Sequence, residues 1–289
     1  MAQGNLKYQF ANLSIAEKLI AINVIFFIVD GLLKALLGFS IMAWFELPKD
    51  VSMFIRQPWS IVSYSFFHGS LGHIFWNMML LYFSGRIFLN LFGNKRFLNV
   101  YLLGVIAGGL IFLLSYNVFP TLIYANTSLI GASAGVTAIL IFICAYIPNQ
   151  EVRLFIINVK LWYIGAFVVL TDLIQIPTSG NIGGHLAHLG GAALGYFYAR
   201  QLLNGNDIGS GFEKIVDGIA NLFKKREKKS PLKTVYKNKN AKKSPLNTDY
   251  NKESKQRKID SILDKISKSG YESLSKEEKD FLFKAGKEN

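Results

Sequence analysis

The chain has 289 residues, 51% of them hydrophobic, and a formal net charge of +13. Its one cysteine, Cys144, excludes an intrachain disulfide and a cysteine metal cluster. Residues up to about 205 hold 11 Lys/Arg and 6 Asp/Glu, so the remainder holds 21 (32 − 11) and 13 (19 − 6) and carries +8 of the charge. A basic tail without a recognition motif reads as a solvated segment beside anionic lipid, so membrane lipid is an expected partner and nucleic acid is not.

A spanning helix needs roughly 20 mainly apolar residues. Six segments fit, some loosely: about 18–38, 70–91, 97–118, 129–148, 159–176 and 184–204. No small-residue cleavage site follows the first, which therefore reads as a retained span. Inside it, Asp30 and Lys34 are one turn apart and are expected to neutralise each other. The fifth is the least regular: Asn158 and Lys160 lead into it, and Asp172 within it could approach His188 as a third triad member but is expected instead to snorkel to the interface. No short-strand alternation suggests a barrel. The expected fold is all-α, a polytopic membrane protein built as a six-helix bundle over residues 1–205. Residues 206–257 are expected to form an amphipathic segment and a basic linker, and 258–289 a small helical tail.

Loop charge sets orientation. Lys95 and Arg96 lie between segments two and three, Arg153 and Lys160 between four and five, and the basic tail follows six. The stretches 119–128 and 177–183 are uncharged. Both termini are therefore expected in the cytoplasm. Segments two, four and six then run the same way. His73, Ser133 and His188 each fall about four residues in, which puts them roughly 5 Å below the outer surface at the rise of an α-helix.

Ser133 sits in Gly131-Ala132-Ser133-Ala134-Gly135, and His188 in Ala187-His188-Leu189-Gly190-Gly191. An imidazole can take the proton of a serine hydroxyl, which is the core of nucleophilic hydrolysis. The small residues around Ser133, and Gly191 with Gly195 on segment six, form two faces that let helices approach closely. His73 and Asn77 are four apart on one helix face and can donate to a developing oxyanion beside the Ser133 N–H. His185 is the alternative base, but its place near the loop suits a surface or water-binding role. His68 is expected to order the outer loop. The string Gly-x-Ser-x-Gly also matches the nucleophile elbow of soluble hydrolases, but the strand that motif needs does not precede it.

Taken together, His68-Gly-Ser-Leu-Gly-His73-Ile-Phe-Trp-Asn77, Gly131-Ala132-Ser133-Ala134 and Ala187-His188-Leu-Gly-Gly191 resemble the rhomboid family of intramembrane serine proteases over about residues 15–205. The resemblance implies Ser133 as nucleophile, His188 as base, His73 and Asn77 as oxyanion donors, no metal or cofactor, and the transmembrane segments of other proteins as substrates. Pro58-Trp59 resembles the start of the family's first loop. Two positions depart from the pattern: Ala134 stands where glycine is usual, and Thr137 where many relatives carry an aromatic residue. The uncharged loop 177–183 is expected to act as a flap and segment five as a lateral gate. Two rival readings are a non-catalytic rhomboid-like protein that binds membrane clients and a small-solute transporter.

In the tail, Phe212, Ile215, Val216, Ile219, Leu222 and Phe223 share a face that suits a helix lying on the membrane. Gly270 is expected to end one short helix and Ser275-Lys-Glu-Glu278 to open another as a capping box. This end resembles a small helical tail of some bacterial rhomboids, whose partner is unknown, and the resemblance implies a bacterial inner (cell) membrane.

Overall fold

A computed structural model describes residues 6–123, 127–154, 156–223 and 248–287. The chain is predominantly helical. α1 (Leu6–Asn12) leads into α2 (Ile15–Leu37), which opens on a capping box between Ser14 and Glu17 and closes on Gly38 at φ 73°. The loop that follows carries β1 (Leu47–Pro48), α3 (Val51–Arg56) and α4 (Ser60–Ser63). Then come α5 (Leu71–Leu91), α6 (Asn94–Val118), α7 (Pro120–Ile123), β2 (Ser128–Leu129) and α8 (Ser133–Tyr146). The strands β3 (Glu151–Leu154) and β4 (Ile157–Lys160) precede α9 (Leu161–Gln175), α10 (Ile182–Leu203) and α11 (Gly209–Phe223).

Six helices, α2, α5, α6, α8, α9 and α10, occupy the six expected segments with ends shifted by a few residues. Among the described residues, α2 and α6 are long and apolar enough on their own to cross a bilayer. α5 and α10 have 21 and 22 residues, but His73, Asn77, Arg86 and the glycines and histidines of α10 dilute them. α8 and α9 are short, at 14 and 15 residues. Ile25, Ile28, Leu32 and Leu36 of α2 and Phe167, Leu170 and Ile174 of α9 stand exposed. Water would penalise so continuous an apolar exterior, whereas lipid matches it.

α8 is the axis of the bundle. Every residue from Ala134 to Cys144 is buried, with α5, α6, α9 and α10 around it. Small residues make that packing possible. A Cβ added at Gly191 or Gly195 of α10 would collide with the carbonyl of Ala134 or Ala138 of α8. A Cβ at Gly108 of α6 would meet the Ala134 methyl and the Ala187 carbonyl. Three backbones thus converge around Ala134. Towards the other end of α8, Phe142 packs against Phe88, Phe92, Tyr146 and Tyr198 with ring centroids 4.9–5.8 Å apart.

Two strand pairs depart from the all-helical expectation. β1 pairs antiparallel with β2, Leu47 opposite Leu129, and ties the first loop to the segment before Ser133. β3 and β4 form a hairpin with Glu151 opposite Lys160, where a charged link alone was expected. Asp30 also departs from expectation. Its carboxylate accepts from the Ser40 hydroxyl at 2.8 Å and the Ile41 N–H at 2.8 Å, fixing the chain reversal after α2.

By internal contacts, residues Met1–Lys224 form one unit, so α11 belongs with the bundle. Arg96 pairs with Asp207 at 2.7 Å, Lys95 pairs with Glu213, and Tyr198 donates to Asp207. Partial burial would raise the Asp207 carboxyl, but hydrogen bonds from Tyr198, Arg96 and the Gly209 N–H outweigh it and hold it below the ordinary carboxylate value.

Residues Lys225–Asn289 form the second unit. Within it, α12 (Thr248–Ser269) begins ahead of the expected start near 258 and ends at Gly270, φ 78°. Lys268 in its last turn complements the helix dipole. The rest of the expected linker, 224–247, lies outside the described residues. α13 (Lys276–Lys287) opens on the capping box read from the sequence, with the Glu278 N–H donating to Ser275 Oγ at 3.2 Å and the Ser275 N–H to Glu278 Oε2 at 2.8 Å.

Candidate active site

Ser133 is the first residue of α8. Its place differs from the expected one: the residues before it form a bridge and a turn, so depth counted along a continuous helix does not apply to it. The N–H groups of a helix's first turn have no acceptor within the helix, so those around Ser133 are available to an anion. The approach is held by three contacts. The Gly131 N–H donates to the Tyr64 carbonyl at 3.0 Å, the Tyr64 hydroxyl donates to the Val105 carbonyl of α6 at 2.7 Å, and the Ala132 N–H donates to His68 Nε2 at 3.4 Å. Gly131 has φ 114°, and a Cβ there would lie 2.6 Å from His73 Nε2. Glycine is thus required both by the backbone and by the imidazole.

A cavity of about 420 Å³ opens at this point, and His73, Asn77, Ser133, Thr137, Asp172 and His188 line it. Trp76, Leu80, Phe167 and Val168 supply an apolar wall. The four residues singled out for chemistry therefore share one cavity. α5 presents His73 and Asn77 one turn apart, with the Ser70 side chain capping the helix by accepting from the His73 N–H. Asn77 donates one amide hydrogen to the His73 carbonyl at 2.9 Å, which leaves its second for another acceptor. The His73 ring packs edge-on to His68, centroids 4.9 Å apart. The loop-ordering role expected of His68 fits its bond to Ala132.

Two expectations are corrected here. Asp172 does not reach an interface: it is buried, and its Oδ1 lies 2.7 Å from His185 Nδ1 and 2.9 Å from His188 Nδ1. His185 is likewise buried rather than at the surface, because Asp172 holds it. The signal was present in the sequence. Only residues 176–181 separate α9 from α10, so groups a few positions either side of that turn come to the same level. The carboxylate oxygen and the two ring nitrogens lie within 4.8 Å of one another, a donor set a divalent transition ion could use, although the N–O hydrogen bonds already satisfy it. The departure at Ala134 is also explained: its buried methyl faces Gly108, which leaves room for it.

Residues 55–205 match the Rhomboid domain, and residues 247–285 match a family of unknown function (DUF6576). Mitochondrial RHOMBOID-like protein 12 of Arabidopsis thaliana is 31% identical over 147 residues, 47% of this chain and 44% of that protein. The mitochondrial presenilin-associated rhomboid-like protein of Homo sapiens is 34% identical over 140 residues, 46% of this chain and 35% of its own length. Its counterpart A of Danio rerio is 32% identical over 139 residues, 46% and 35% of the two chains. The chain spans less than half of the length of these relatives. Their mitochondrial names overturn the expectation of a bacterial cell membrane with cytoplasmic termini, which rested on loop charge and on the likeness of the tail to that of some bacterial rhomboids. The domain match covers more than half of the chain, and on that ground this protein belongs to the rhomboid family.

Proposed function

We propose that this chain is an intramembrane serine endopeptidase that spans the bilayer through α2, α5, α6, α8, α9 and α10 and cuts the transmembrane segments of other proteins. The observation that carries the reading is the cavity shared by Ser133 and His188 at the N-terminus of α8. Ser133 Oγ attacks the scissile carbonyl carbon while His188 Nε2 takes its proton. The oxyanion is held by the Ser133 N–H, the free amide hydrogen of Asn77 and the His73 ring. His188 returns the proton to the leaving amine, leaving an acyl-serine. Water then attacks that ester, His188 accepts its proton and passes it to Ser133 Oγ as the Oγ–acyl bond breaks, and the released acid loses its own proton to leave as a carboxylate. No metal or cofactor is needed for these steps.

A substrate helix is itself an obstacle to Ser133, since its carbonyls are locked in hydrogen bonds. Glycine, proline or other weak helix formers near the cut lower the cost of unwinding. The decisive test is labelling of the detergent-solubilised protein by a serine-reactive fluorophosphonate. Wild type is expected to label, and Ser133→Ala and His188→Ala to lose the signal. Equal labelling of all three would remove the hydrolase and leave a client-binding rhomboid protein.

A further inference from the structure

A carboxylate buried on an apolar helix is costly unless it is paired. Asp172 has an exposure of only 8% at the side chain and accepts from two imidazoles on the facing helix. We infer that Asp172 is a positioning residue, which fixes His188 with its proton on Nδ1 and its lone pair on Nε2, while His185 holds the carboxylate in place. The inference rests on the reading of Ser133 and His188 as nucleophile and base, and adds Asp172 as the group that orients His188.

An ionised carboxylate only accepts hydrogen bonds. With Oδ1 at 2.7 and 2.9 Å from the two Nδ1 atoms, both rings carry their proton on Nδ1. A neutral ring protonated on Nδ1 offers its lone pair on Nε2, the atom a serine hydroxyl needs. Of the two histidines, His188 lines the cavity with Ser133, and His185 is not among the described lining residues. The half-exposed ring is thus the base, with 23% of its side chain accessible, and the ring with 9% is the anchor. When His188 takes the serine proton it becomes an imidazolium facing the Asp172 carboxylate. The proton stays on the imidazole and returns to the leaving group, so Asp172 gains and loses nothing.

The test uses the full chain in detergent and the same fluorophosphonate. Asp172→Asn preserves shape and removes the charge. Its maximal labelling rate is expected to fall about 100-fold or more, with half-saturation by the probe unchanged. His185→Gln is expected to lower that rate less. Ring ¹⁵N spectra of the wild-type protein are expected to show His188 protonated at Nδ1, the resonances being those that vanish in His188→Ala. Labelling of Asp172→Asn at the wild-type rate would overturn the inference. So would a wild-type spectrum with the proton on Nε2, a readout that stands even if every Asp172 variant misfolds. In either case Ser133→Ala and His188→Ala would still abolish labelling. Retained labelling in those two is the separate failure of the proteolytic reading.

Discussion

The Cα of Gly191 lies flush against the Ala134 carbonyl, with no space for a side-chain carbon between α10 and α8. The obstacle is backbone, which cannot rotate aside. Gly191→Ala is therefore expected to destabilise the bundle by about 1–3 kcal/mol and to push His188 away from Ser133. Thermal unfolding in detergent and fluorophosphonate labelling on one sample check both effects.

Gly131 tests the same principle at the loop. Its φ of 114° is strained for any other residue, and a methyl would press on His73 Nε2. Gly131→Ala is expected to cost about 1–3 kcal/mol and to suppress labelling at temperatures where α8 remains folded. Labelling equal to wild type would show that this turn does not govern the site.

Ala134→Gly restores the residue usual in the family. The lost methyl leaves a gap against Gly108, so stability is expected to fall by about 1 kcal/mol. Labelling should persist, because the methyl faces α6 and not the cavity. A rise in labelling rate of an order of magnitude would mean that the methyl disturbs the oxyanion donors.

Asp207 predicts a pH dependence. Its carboxyl is held below the ordinary value, so its contribution to stability is present above that value. It is lost as pH falls through the lowered one. Asp207→Asn is expected to be less stable than wild type near neutrality, by up to about 1 kcal/mol given its partial exposure. The gap should close in strongly acidic buffer. Unfolding midpoints of the two proteins across pH check the sign.

In the tail, Ser275→Ala removes the side-chain half of the cap on α13 and is expected to weaken that helix by about 1 kcal/mol. Amide hydrogen exchange over 276–287 in the full chain would quicken, while exchange in α8 would not change.

Much of the helical frame was readable because hydrophobic length and glycine spacing act locally. The shared cavity followed from motifs whose residue types suit one reaction, although Ser133 reached it through a turn rather than along a continuous helix. For Asp172 the sequence leaves both snorkelling and an approach to His188 open, because a lone carboxylate in an apolar run does not fix what faces it. Its partners lie on the next helix, and only the short turn between α9 and α10 hints at them. The hairpin at 151–160 leaves only a faint mark, the polar–apolar alternation of Glu151, Val152, Arg153 and Leu154, because four residues are too few to separate a strand from a charged link. Tyr64 and Gly108 carry no signature at all, since their roles come from what the chain brings against them.

The shortness of α8 has a final consequence. Fourteen residues rise about 21 Å, against roughly 30 Å of hydrocarbon in a typical bilayer. On the proposed reading the helix would act as a ruler set into the membrane: packed at one end by the aromatic cluster around Phe142, it would stop short at the other and leave a well above Ser133. The depth of that well, rather than any side chain, would select how far from its end a visiting helix is severed.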